Sequence, residues 1–151
     1  MKKNTKAFLI ILIIVAGISF LSWYLPKKFS LPESEIISRQ GIHWHSQLTI
    51  KILEQEQEIP SQIGMGIQEF PLHTHTSDGI IHMEFPGLVR KNDLEIGKFF
   101  QIWGKKFSKD CVFDKCSGSE GKLKMLVNGS ENEEFENYVM KDGDKIEIIF
   151  E

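Results

Sequence analysis

Cysteine is scarce in this chain: two in 151 residues, Cys111 and Cys116, with four residues between them. Two thiols are too few for a tetrahedral thiolate cage, and the spacing is not C-x-x-C. What remains is a short local loop closed as a disulfide in an oxidising compartment. Histidine is absent from most of the chain, with none before position 43 or after position 82. A basic stripe is missing outside the N-terminus, and the net charge is −3, so nucleic acid has no electrostatic footprint to bind. There is no H-E-x-x-H, no motif around a serine nucleophile, and Gly64-Met65-Gly66 is too short to cradle a phosphate.

One long uncharged run is present. Residues 7–25 read AFLIILIIVAGISFLSWYL, roughly 28 Å as a helix and close to the thickness of a bilayer's hydrocarbon core. Lys2, Lys3 and Lys6 precede it, Trp23 and Tyr24 sit at its far edge, and Lys27 and Lys28 follow. No A-x-A site and no lipid-attachable cysteine stands near it. The expectation is a single-pass membrane protein with a retained anchor. Residues 1–6 would be cytoplasmic, 7–25 the anchor, 26–41 a polar linker with a short helical piece, and 42–151 one extracytoplasmic domain.

That domain has 26% charged and 41% apolar residues over the whole chain to draw on, a composition that folds. Residues 43–53 alternate, with Trp44, Leu48, Ile50 and Ile52 on one face. Residues 54–58 read as a charged turn, and 59–67, with Pro60, Gly64 and Gly66, as an irregular strand at best. Asp78-Gly79 predicts a two-residue hairpin turn inside residues 70–85. A helix follows, capped by Asn92 with Glu95 as its capping-box partner. Ile96, Phe99, Phe100, Trp103 and Phe107 form its apolar face, and Gly104 marks its end. Strands then return at 123–127, 138–140 and 145–150, with turns at Asn128-Gly129 and Asp142-Gly143. Asn128-Gly129-Ser130 is formally a glycosylation sequon, but Asn-Gly reads first as a turn. The order predicts an α+β fold, a mostly antiparallel sheet with one packed helix.

The five histidines come as His43-Trp44-His45, His73-Thr74-His75 and His82. Residues two apart on a strand share a face, so each H-x-H pair presents two imidazoles side by side. With Asp78-Gly79 as the turn, His75 falls opposite His82 and His73 opposite Glu84, placing His73, His75, His82 and Glu84 on one face. Crowded neutral imidazoles leave ring nitrogens unpaired and repel one another when protonated, and a shared metal removes both problems. Nitrogen donors suit Zn2+ or Cu2+ among other ions, with copper favoured by intrinsic affinity. His43 and His45 complete that sphere or form a second one. Met65 and Met83 are soft enough for Cu+, but both read better as core residues.

The stretch LKMLVNGS…YVMKDGDKIEIIF resembles the closing strands of ubiquitin-like β-grasp domains, which implies a β-grasp-like fold; the Gly-Gly ending of sulfur carriers is not there. The H-x-H, later His and nearby Glu look superficially like the metal set of cupins, whose glycines and strand number are missing. HWHSQLTI, LHTHTSDGIIHMEFPG and the helix with FFQIWG resemble a set recurring in uncharacterised membrane-anchored bacterial and archaeal proteins, a resemblance that implies no activity. Three functions stay open. One is a module that captures, senses or delivers copper or zinc, delivery implying a metal-receiving protein. The second is a metalloenzyme such as a hydrolase or hydratase, with Glu84 or Asp78 as base to a metal-bound water. The third is an interaction domain with a structural metal.

Overall fold

The computed structural model describes residues 2–29 and 32–151, with side chains for 5–25 and 32–151. The flanking charges Lys2, Lys3, Lys27 and Lys28 named above lie outside the described side chains. The chain divides into two compact units, residues 1–33 and 34–151.

The first unit is the helix α1, Lys2–Phe29. Its segment Thr5–Leu25 has a mean hydropathy of 2.5 and no residue buried in the protein. The helix is therefore long and apolar enough to cross a membrane, and it has no polar stripe with which to pack as an ordinary surface helix.

The second unit is α+β. Its strands are β1 (Ile36–Ser38), β2 (Ile42–Ile52), β3 (Gln55–Gln57), β4 (Leu72–His73), β5 (Ile80–Phe85) and β6 (Val89–Arg90). The helix α2 (Ile96–Trp103) follows, then β7 (Cys111–Val112), β8 (Lys115–Cys116), β9 (Leu123–Val127), β10 (Ser130–Glu131) and β11 (Lys145–Phe150). The main sheet runs β10-β9-β11-β2-β5-β4, with β3 also on β2. Every pairing is antiparallel except β11 with β2, where Lys145 stands beside Gln47 and Phe150 beside Ile52. Ile36–Ser38 fall within the stretch read as linker, yet they form β1 and pair with β6.

Alternation along β2 decides which face is dry. Ser46, Leu48 and Ile50 are buried, as are Ile81 and Met83 of β5, Met125 of β9 and Ile146 and Ile148 of β11. Against them α2 lays Ile96, Phe99 and Phe100, all at most 1% exposed. Each such side chain contributes about 1.5–3 kcal/mol of apolar burial. The opposite face of β2 carries His43 and His45, so the core fixes the direction of the histidines before any ligand chemistry enters.

Three local readings differ from the sequence expectation. Residues 54–58 are not a simple charged turn: Leu53 and Glu54 make the turn at positive φ, and β3 returns along β2. Asn92 does not cap α2. A single 3-10 turn at Lys91–Leu94 comes first, with the Arg90 N–H donating to the Asp93 carboxylate at 2.9 Å, and α2 starts after Glu95. Asp93 wins because its carboxylate closes on Arg90 while Leu94 drops into the core. Residues 138–140 form only an isolated bridge, Val139 with Glu95, because they run past the start of α2, where Tyr138 O accepts from Ile96 and Met140 N–H donates to Leu94. Gly104 does end the helix, in the left-handed region at φ 71°. Phe107 lies beyond that end, stacked on Phe100 at 4.7 Å between ring centroids. Asn128 and Gly129 form the turn between β9 and β10, with φ of 53° and 80°.

A buried carboxylate ties the last turn together. Asp144 accepts from Tyr138 Oη at 2.7 Å, the Lys141 N–H at 2.8 Å and Asn128 Nδ2 at 2.9 Å. Burial and the Asp144 carboxylate together raise the Tyr138 phenol well above its ordinary value, so it stays a donor. Asp144→Ala removes the acceptor of all three and leaves the buried Tyr138 hydroxyl unpaired, and should cost about 3 kcal/mol, whereas Tyr138→Phe removes one bond and should cost about 1 kcal/mol. Denaturant titration of the two variants checks the ratio, and equal losses would contradict the assignment of Asp144 as the hub.

Candidate metal centre

The site is a row of imidazoles laid across three strands. β5 lies between β2 and β4, and its His82 is opposite His45 on one side and His73 on the other. Strands stand about 4.8 Å apart in a sheet, and the rings keep that spacing. Centroids of His45 and His82 are 4.6 Å apart, those of His73 and His82 5.4 Å and stacked. His43 lies 4.9 Å from His45, and His75 lies 4.4 Å from His82 and 4.7 Å from His73. Glu84 is opposite His43.

The hairpin register differs from the expectation by two residues. His82 is opposite His73, not His75, and the connection between β4 and β5 has six residues, 74–79, instead of the two of Asp78-Gly79. The cause is Thr74, which turns inward to the segment at 60–63. Its hydroxyl donates to Pro60 O and accepts the Ile63 N–H, and its own N–H donates to Ile63 O. The loop tip is then held on β2, where the Leu48 N–H donates to Gly79 O and Gln47 Nε2 to Asp78 O. Gly79 has φ +78°, and a Cβ there would lie 2.4 Å from Leu48 O. A shift of two preserves the alternation of faces, so the same four residues still converge.

His73 is the most tightly specified member. It is 1% exposed, and its Nδ1 donates to the Phe70 carbonyl at 2.9 Å. A carbonyl only accepts, so Nδ1 carries a proton, and in the neutral ring the Nε2 lone pair is presented outward. That Nε2 lies 3.2 Å from His75 Nε2, 3.4 Å from Glu69 Oε1 and 3.9 Å from Glu84 Oε1. A lone pair facing two carboxylate oxygens is repulsive unless a proton or a metal ion stands between them. Gly64 makes this arrangement possible: the Phe70 N–H closes the loop on Gly64 O. Gly64 itself has φ +75°, and a Cβ there would meet Leu72 O at 2.6 Å.

The donors form two groups that could hold a metal ion, each with its ligand atoms within 4.8 Å of one another. One is His73, His75, His82 and Glu84; the other is His43, His45 and His82. Glu69 joins the first group's surroundings and escaped the sequence reading, since it is one acid in a loop and only its i,i+4 relation to His73 hints at a role. Asp142, also missed, fixes His45: its Oδ1 accepts the His45 N–H at 2.9 Å, while the Gly143 N–H donates to His45 O. Asp78 stands apart from both groups. The Ile80 N–H, followed by the Thr76 hydroxyl, holds its carboxyl below the usual range, which leaves it a poor base. Met83 is buried in the core, away from the histidines, and Met65 is partly exposed on the 60–70 loop. The sulfurs of Cys111 and Cys116 lie at disulfide distance, joining β7 to β8.

Burial, reinforced by His75, His45 and His73, lowers the His82 pKa from its ordinary 6.5; Glu84 opposes the shift. His82 Nδ1 is buried without a hydrogen-bond partner among the described residues. In the unfolded chain His82 takes up a proton as pH falls through about 6.5, whereas the folded chain resists until lower pH. The metal-free protein should therefore be at full stability above that value and lose stability below it. Denaturation midpoints at about pH 7.5 and about pH 5.5 check this: the acid loss should shrink in His82→Gln, and an identical loss in both proteins would contradict it. Gly64→Ala should lower the melting temperature, because its Cβ would press on Leu72 O and displace the loop that carries the acceptor orienting His73; an unchanged midpoint in thermal denaturation would contradict this.

No protein-family model, curated protein or solved structure matches the chain.

Proposed function

We propose that this chain is a membrane-anchored, extracytoplasmic metal-binding protein that captures copper or zinc and passes it on. The observation that carries the reading is His73: a buried imidazole whose Nδ1 is committed to Phe70 and whose Nε2 faces His75, Glu69 and Glu84. Imidazole and carboxylate donors at this density suit a borderline ion such as Zn2+ or Cu2+. His73, His75, His82 and Glu84 already offer the four side chains of a closed tetrahedral sphere, whereas a catalytic zinc keeps one position open for water. The donor count thus favours binding and transfer over hydrolysis.

The apolar segment Thr5–Leu25 supports the anchor, and the Cys111–Cys116 pair supports an oxidising compartment for the domain. A metal-receiving protein is the natural partner of a site that lies on the open face of a sheet. The scaffold is best read as β-grasp-like. In its support, β11 runs parallel to β2 at the centre of the sheet, β5 and β9 flank that pair, and the single helix α2 falls between β5 and β9.

Elemental analysis tests the reading. The full chain, purified in detergent without affinity-tag histidines, is challenged with zinc and with copper and then dialysed. Near-stoichiometric metal is the expected result. His75→Ala and His82→Ala should each lower retained metal at least tenfold at a limiting free concentration, equivalent to about 1.4 kcal/mol or more. Absence of retained metal under both challenges would sink the proposal.

A further inference from the structure

The donors exceed what one ion takes. Five imidazoles, Glu84 and Glu69 crowd one face, while a zinc or copper ion of the tetrahedral type binds four side chains. They also fall into two groups with a single common member, His82. The groups touch a second time at Glu84, whose Oε1 is 3.3 Å from His43 Nε2 in one group and 3.9 Å from His73 Nε2 in the other. Their surroundings differ: the side chain of His73 is 1% exposed and that of His43 is 64% exposed.

We propose that the face holds a pair of adjacent metal ions, an inner one on His73, His75 and Glu84 and an outer one on His43 and His45, with His82 at their boundary. This rests on the metal-binding reading above and refines it. Two cations side by side repel, and the groups between them can offset that repulsion. Glu84 has two carboxylate oxygens and can reach both ions, while His82, with one lone pair in its neutral ring, can serve either ion in turn. The inner ion has more protein ligands, a buried imidazole and a second carboxylate, Glu69, nearby. It binds first and leaves last. The outer ion, on the exposed His43 and the half-buried His45 of one strand, exchanges with solution. The inner ion then acts as the retained member, and the outer position is the one from which metal is handed over.

The test is a Cu2+ titration of the full chain in detergent at neutral pH, with bound copper counted after desalting and the electron paramagnetic resonance spectrum recorded at each step. About two equivalents should bind. The first should give the signal of an isolated Cu2+ ion, and the second should broaden or abolish that signal through coupling to its neighbour. The double variant His43→Ala/His45→Ala alters positions of β2 outside the core, and circular dichroism should confirm its fold. It should stop at about one equivalent and keep the isolated signal. The more conservative His43→Gln/His45→Gln should behave alike. Saturation of the wild type at one equivalent would overturn the pair while leaving metal binding intact. Binding of two equivalents with additive, uncoupled signals would overturn the shared boundary. Binding of none would remove the metal-binding reading itself.

Discussion

Everything at the candidate site depends on β5 being seated between β2 and β4. The ladder spacing of a sheet brings cross-strand side chains within about 5 Å of one another, and three strands meeting at His82 put His45 and His73 on its two sides. That seating is enforced from the dry face. Ile81 and Met83 are fully buried against the core that α2 closes, and a one-residue slip would turn them to solvent and the histidines inward. The hydrophobic core therefore sets the address of each imidazole, and the polar face accepts the crowding that results.

A second layer of contacts converts proximity into orientation. Phe70 O sets the tautomer of His73, Thr74 fixes the backbone between His73 and His75, and Asp142 with Gly143 pins the backbone of His45. These supports come from the 60–70 loop and from the turn before β11, which are distant from one another in sequence. Donors supported this way stay aimed with little rearrangement. Burial first, and then the same crowding of imidazoles, lowers the His82 pKa.

Much of this was legible in the sequence because it rests on periodicity. Alternation in β2 separated Leu48 and Ile50 from His43 and His45, the i, i+3, i+4 pattern located α2, and Asn128-Gly129 marked its turn. The grouping of His73, His75, His82 and Glu84 was also legible, since any even shift of register leaves the face unchanged. The register itself was not. Asp78-Gly79 carries a strong local turn signal, but long-range bonds from Thr74 to Ile63 and from Leu48 to Gly79 override it. Glu69 and the carbonyl of Phe70 were invisible for a related reason: their role comes from the path of an irregular loop through Gly64, which no period encodes. The start of α2 was misplaced because a separate 3-10 turn, closed by the Asp93 carboxylate on the Arg90 N–H, comes before it, and α2 begins after Glu95 with no side-chain cap.

On the proposed function, His73 Nε2 and its neighbours hold a metal ion instead of a proton. X-ray absorption at the metal edge of the zinc- or copper-loaded protein tests this directly. The expected spectrum has a first shell of nitrogen and oxygen at about 2.0–2.1 Å, with the multiple-scattering pattern of several imidazoles. That pattern should weaken in His73→Ala, in which the buried ligand is removed. A shell of oxygen alone, or an imidazole pattern unchanged by His73→Ala, would contradict it.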